Sequence, residues 1–269
     1  MNAKLNVKQF YDVRGWSTFD GGSFLDNALW EDQRPVAKAY QARCRQRIVH
    51  ALEGTERGLL IDAGSGPVQH EEFHEAHKRF SQTILLDLSQ IALSQVRRVG
   101  SYHRVVGSLT ELPIKSECVD AVMCVNSVNH VSADLQEQAV MELLRITKRD
   151  ARLVFVSYNP GRIGLSKNMS SKHLSNNSGA PDENTKLLAR ARQDLYFHAP
   201  QACWWSRFTP WASVTLRPYR YLFVTDLQRL VPDDWRGRLV LAAVGLFERF
   251  CPTFAARRGA YYLILMRKR

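Results

Sequence analysis

"LLIDAGSGPVQHEEF" occupies residues 59–73. An apolar run closes on Asp62, two glycines follow one residue apart at Gly64 and Gly66, and a polar stretch of helix-forming composition comes next. A strand, a glycine turn and a helix in that order cradle a nucleotide or nucleoside at the edge of a parallel sheet. The turn departs from the dinucleotide pattern G-x-G-x-x-G. Gln69 stands where the third glycine belongs, Pro67 takes the first helical position, and Glu71 and Glu72 fill the first turn. A pyrophosphate binds at a helix N-terminus because its charge meets unpaired N–H groups and the positive end of the dipole. Two acids there repel it. Asp62 adds a carboxylate at the strand's end, which suits a cation such as an amino group or a sulfonium.

Outward from this turn the chain alternates. Residues 31–53 read as a long helix closed by Gly54. After the strand at 58–64, residues 67–80 read as a helix, 83–89 as a strand, and 89–100 as a helix with Ser89 as N-cap and Gly100 as stop. Strands are expected at 102–107 and 118–127. A helix follows at 132–148, with Leu135, Ala139 and Leu143 four apart, and then a strand at 151–159. After Pro160 the rhythm breaks: residues 165–186 are polar and turn-rich and read as a mobile lid. Strands at 214–224 and 259–268 flank a segment whose second half is helical. Alternation of this kind predicts an α/β, Rossmann-like doubly wound fold. Its seven-stranded sheet is mostly parallel with an antiparallel last strand, an N-terminal helical cap and a lid insertion after strand five. The division expected is 1–54 as cap, 55–160 as cofactor-binding core, 161–210 as lid and acceptor segment, and 211–269 as the strands and helix that complete the domain. Asp87 ends the second strand, where an acid takes ribose hydroxyls. A ligand with a ribose, a positive charge and no phosphate is S-adenosylmethionine.

Composition bounds the rest. Hydrophobic residues make up 45% and charged residues 23% of the 269, which is ordinary for a globular protein. The five cysteines are scattered, against both a disulfide scaffold and paired metal ligands. The N-terminus lacks a signal-peptide core and the longest apolar run, Leu239–Phe247, is too short to span a bilayer, so a cytoplasmic location is expected. Residues 1–150 hold 18 Lys+Arg against 19 Asp+Glu, and residues 151–269 hold 19 against 7. The basic C-terminal part fits nucleic acid, an anionic membrane surface or an acidic substrate, and equally a solvated face.

Several ordered motifs carry a family resemblance. D-A-G-S-G-P at Asp62–Pro67, L-L-D-L-S at Leu85–Ser89, the stretch Gly107–Val131 and LLRITKRDARLVFVS up to Ser157 resemble class I S-adenosylmethionine-dependent methyltransferases over roughly residues 55–160. VKQFYDVRGW, YFHAPQACWW and AYYLILMRK are similar to a bacterial small-molecule or glycan-type subgroup. The resemblance implies that Asp62 and the backbone of Ala63, Gly64 and Gly66 hold the methionine end. Asp87 takes the ribose, Leu88 packs on adenine, and Ser108 and Leu109 lie at the adenine edge. Asn126 meets the methionine moiety, and Tyr11 closes over the cofactor. Ser108 stands where the family often has an acid, and Arg149-Asp150 replaces its proline-glycine turn. Asp120 resembles the family's structural acid before strand four.

Methyl transfer needs an in-line nucleophile above all. A hydroxyl acceptor also profits from a general base, and His130 and His198 are the candidates. His70, His74 and His77 read as surface residues, and no metal site is expected. SYNPG at Ser157–Gly161 is a poor match to the N-P-P-Y motif of nucleic-acid amino methyltransferases, which argues against nucleic acid. Trp204, Trp205, Trp211, Tyr219 and Tyr221 fit a stacking platform, an acceptor wall or a core. The expected activity is methyl transfer to a small-molecule, sugar or lipid-linked acceptor, at oxygen, with peripheral membrane contact open to the C-terminal part. The alternatives are an RNA/DNA methyltransferase and a non-catalytic S-adenosylmethionine-binding protein.

Overall fold

The computed structural model describes residues 3–18, 23–55, 58–97, 102–162, 190–191 and 193–269. The expected lid at 165–186 and the helix stop at Gly100 lie outside the described residues.

Strands β1 (Leu59–Ala63), β2 (Gln82–Asp87), β3 (Tyr102–Val106), β4 (Val119–Val125), β5 (Thr147–Tyr158), β6 (Ala212–Arg220) and β7 (Tyr261–Lys268) form one sheet in the order β3-β2-β1-β4-β5-β7-β6. The first five strands pair in parallel. β7 enters antiparallel between β5 and β6, so β6 runs with β5 and the reversal is confined to the last strand, as expected. Successive residues of each strand serve opposite faces. Leu60, Leu85, Ala121, Met123 and Val154 join one core, and Ile61, Leu86, Val122, Cys124 and Phe155 the other. Burial of each such side chain contributes about 1.5–3 kcal/mol, which holds apolar strands between two layers.

The first layer contains α3 (Pro35–Ala51), α4 (Glu71–Lys78) and α5 (Gln90–Ser94); the second contains α6 (Gln136–Ile146) and a 3-10 segment, Ala202–Phe208. α3 begins four residues later than expected because Pro35 sits at its first position, where a missing N–H costs nothing. Gly54, at φ +82°, closes its end. α4 begins at Glu71, and the preceding Val68 takes φ +52°, a conformation β-branched residues rarely adopt. The Ser89 hydroxyl accepts from Ala92 N, as an N-cap does, but α5 ends at Ser94. Asp150 takes φ +62° within β5 and so replaces the family's glycine. Asp120 accepts from Leu59 N at 2.8 Å and pairs with Lys148, a structural role as expected.

One expectation is corrected and two open readings are resolved. His74 and His77 are buried rather than on the surface, because the inward face of α4 that carries Phe73 and Ala76 carries them too. Trp205 and Phe208 are fully buried against the second face of the sheet, with Trp205 Nε1 donating to the Tyr262 hydroxyl at 3.2 Å. They are core and neither a platform nor a mobile wall. Asn159 of SYNPG is buried and donates to the carbonyls of Arg257 and Gly259, so it anchors the turn into β7.

Candidate active site

The chain leaves β1 for β2 and β3 on one side and for β4 and β5 on the other. The crevice at that reversal is where open α/β sheets bind ligands. A cavity of about 1560 Å³, its open mouth included, fills it. Asp62, Gly64, Gly66, Asp87, Leu88, Ser108, Leu109, Asn126, His130 and Tyr11 all line it. Ala63 is fully buried behind the turn, outside the lining. His198 also stands outside, with Nδ1 directed to Gln136 Oε1 at 3.4 Å and its backbone N–H given to Asn129 O. The sequence leaves two histidines open; the cavity receives His130.

At the glycine end, Asp87 Oδ2 accepts from Gly66 N at 2.9 Å and Oδ1 from Ser89 N at 2.8 Å. Burial, with Asp62 and Asp12 adding like charge, pushes the Asp87 carboxyl up to about 6, although both N–H groups pull the other way. Gly66 has φ +55°, and a β-carbon there would lie 2.8 Å from the Trp16 ring, so only glycine lets Trp16 close on the turn. Asp62 is held from behind: its Oδ2 lies 3.0 Å from Nε2 of the buried His77. Asn126, at φ +58°, leaves its Oδ1 buried without a partner among the described residues, as are Trp16 Nε1 and Gln69 Oε1.

These features fit S-adenosylmethionine. Three buried polar atoms of cavity-lining residues await a polar ligand, since such atoms seldom stay unpaired. Asp62 and Asp87 offer carboxylates to an ammonium or sulfonium and to ribose hydroxyls. Among the described cavity residues a dinucleotide finds no unpaired Lys or Arg: Lys8 is paired with Asp12, and Arg45 with Glu31 and Glu72.

The other end is built by α1 (Ala3–Phe10), the π-helical turn Tyr11–Gly15, α2 (Leu25–Trp30) and the tips of β6 and β7. Tyr11 stacks on Trp16, centroids 4.9 Å apart. Its hydroxyl lies 3.2 Å from Asp26 Oδ1 and 3.3 Å from His130 Nε2. His130 Nδ1 lies 3.0 Å from the Tyr196 carbonyl. A carbonyl only accepts, so Nδ1 carries the proton and Nε2 keeps its lone pair. Burial lowers His130 to about 4, against the pull of the Tyr196 carbonyl. Burial likewise raises Asp26 to about 6, although Tyr11 and Gln69 hydrogen-bond to it. Tyr11 is raised by burial and by Asp26 and Asp87, and stays a phenol. Trp30, Phe197, Tyr219 and Tyr261 wall this end.

Asp26, Gln69, Trp16 and His77 are the site residues that sequence reasoning missed. Nothing in LDNALW marks Asp26 as facing a ligand. His77 had a signal, because it shares a helical face with Phe73 and Ala76.

The fold, the crevice and its acid-bearing glycine turn resemble those of class I S-adenosylmethionine-dependent methyltransferases. Residues 61–155 match the family model described as a methyltransferase domain. An uncharacterised protein of Methanocaldococcus jannaschii is 26% identical over 160 residues, a match that spans 57% of this chain and 61% of that relative. Similar folds occur in the magnesium protoporphyrin IX methyltransferase of Synechocystis, with a TM-score of 0.57 and 11% identity over 100% of this chain and 98% of that one. Geranyl diphosphate C-methyltransferase from Streptomyces coelicolor gives a TM-score of 0.56 and 15% identity, with 100% and 98% covered. An N-methyltransferase from Bradyrhizobium japonicum gives a TM-score of 0.55 and 9% identity, with 100% and 99% covered. Residues 61–155 thus carry a methyltransferase domain, within a chain whose fold is that of S-adenosylmethionine-dependent methyltransferases.

Proposed function

We propose that the protein transfers a methyl group from S-adenosylmethionine to a small-molecule, sugar or lipid-linked acceptor, at an oxygen atom. The observation that carries this reading is one cavity with a carboxylate-lined glycine turn at one end and the Asp26–Tyr11–His130 cluster at the other. S-adenosylmethionine supplies an electrophilic methyl group on a sulfonium sulfur. In this reading Asp62, positioned by His77, and Asn126 hold the amino-acid portion. Asp87 takes the ribose hydroxyls, Leu88, Ser108 and Leu109 flank the base, and Tyr11 and Trp16 close over the top. The acceptor hydroxyl loses its proton as its oxygen bonds to carbon and the carbon–sulfur bond breaks. Asp26 is the better proton acceptor, since a base whose value lies near the working pH is the more effective and His130 is held near 4. His130 then keeps Tyr11 and the acceptor oriented.

The test is incubation with labelled S-adenosylmethionine and panels of hydroxylated small molecules, glycosides, lipid-linked sugars, RNA and DNA. The reading predicts S-adenosylhomocysteine release with a hydroxylated small molecule or lipid-linked sugar, and less of it in Asp26→Asn. Turnover confined to nucleic acid, with tight salt-dependent binding, overturns it in favour of the nucleic-acid alternative.

A further inference from the structure

Beyond α7 (Val224–Leu230), helices α8 (Trp235–Phe250) and α9 (Pro252–Arg258) meet at a bend of 110°. α8 carries its burial on one side, through Gly237, Leu241 and Glu248. Glu248 faces inward, accepting from the Tyr40 hydroxyl and pairing with Arg47. The opposite side is unusual. Trp235, Leu239, Leu246 and Phe250 follow one another at helical spacings of four, seven and four, and are 58%, 61%, 55% and 75% exposed. At 100° per residue they fall within one narrow arc, with Ala242 and Ala243 beside them. Arg238 and Arg249 flank this arc on one edge and Arg236 on the other. α9 adds Phe254, 50% exposed and in contact with Phe247, together with Arg257 and Arg258. Between residues 235 and 258 the sole acid is Glu248, and it is spent inside.

An outward apolar stripe on a soluble fold marks an interaction surface. Its rim decides the partner. Five arginines and no outward acid within the two helices, with Asp233 and Asp234 only at the N-terminal end, complement an anionic surface that also accepts aromatic and leucine side chains. A second copy of this chain would bring arginine rims together without carboxylates to pair them, and like charges in apposition are unfavourable. Among the described residues no single helix is long and apolar enough to cross a membrane. We infer that the outward face of α8 and α9 is a docking face for an anionic lipid bilayer. α8 lies in the plane of the interface, its tryptophan, leucines and phenylalanines enter the acyl boundary, and its arginines reach back to lipid phosphates. This inference stands independently of the acceptor's identity.

The experiment is flotation of the full chain with vesicles of phosphatidylcholine alone and of phosphatidylcholine mixed with phosphatidylglycerol. Binding to the mixed vesicles is expected, with little to phosphatidylcholine alone and a decline as salt rises. Leu239→Gln with Leu246→Gln abolishes it, while each of Arg238→Gln and Arg249→Gln weakens it about fivefold. All four positions are exposed, and retained S-adenosylhomocysteine binding reports that the fold survives. Absence of binding to anionic vesicles at low salt overturns the inference. So does binding that the leucine substitutions leave unchanged, or a concentration-dependent dimer that they dissociate in the absence of vesicle binding.

Discussion

The Tyr11 hydroxyl lies 3.3 Å from Nε2 of His130, although 119 positions of chain separate them. The first turns of the chain therefore form part of the cavity wall that the sheet leaves open, and the Tyr11 hydroxyl lies between the Asp26 carboxyl and the imidazole, with one proton to donate to either. Tyr11→Phe keeps the stacking on Trp16 and removes that hydroxyl. Turnover is expected to fall by roughly 10–100-fold through kcat, with S-adenosylhomocysteine affinity unchanged. A matching loss of cofactor affinity would show that the Tyr11 hydroxyl serves the cofactor rather than the acceptor.

Burial raises Asp26 from 3.8 to about 6. Folding therefore favours its protonated form. That contribution is full below the ordinary carboxylate value and is lost as the pH rises through 6. Asp26→Asn, which never ionises, is expected to be more stable than the wild type at about pH 7.5, by about 1–2 kcal/mol, and to lose this advantage near pH 4. Urea denaturation at the two pH values measures it. In the wild type, kcat is expected to rise through about pH 6 as Asp26 ionises, and a rise that persists in the asparagine variant would assign the base elsewhere.

Asp87 accepts two backbone hydrogen bonds and faces the cavity. Asp87→Ala is expected to weaken S-adenosylhomocysteine binding by about 1–3 kcal/mol, as loss of a charged acceptor does. Calorimetry on the folded variant decides it, and an unchanged dissociation constant removes Asp87 from the ligand.

His77 is buried against Asp62 at 3.0 Å. His77→Ala leaves a cavity and a buried carboxylate without its donor, so a stability loss of about 3–5 kcal/mol is expected, together with weaker cofactor binding. His77→Gln can still donate a hydrogen bond and is expected to recover part of both. Equal cofactor affinity in all three proteins would limit His77 to the core.

The sheet was legible because strands buried on both faces are nearly continuous apolar runs, and the turn at Asp62–Gly66 marks their ligand edge. Helix limits were less so. Pro35 and the left-handed Val68 delay α3 and α4, and only the packing around them shows why. The residues that line the glycine-turn end of the cavity sit at fixed offsets from strand ends and could be numbered from the motif. Asp26 could not, because its position depends on how the N-terminal helices fold over a crevice formed much later in the chain. Trp205 fits a platform, an acceptor wall or a core in sequence because aromatic clusters serve cores and ligands alike; burial separates them.

The central claim, that the glycine turn serves a sulfonium nucleoside, is tested most directly by calorimetric titration of the purified protein with S-adenosylmethionine and, separately, with NAD. The account predicts saturable binding of S-adenosylmethionine that Asp87→Ala weakens, and no heat from NAD. Tight binding of NAD without binding of S-adenosylmethionine would contradict it.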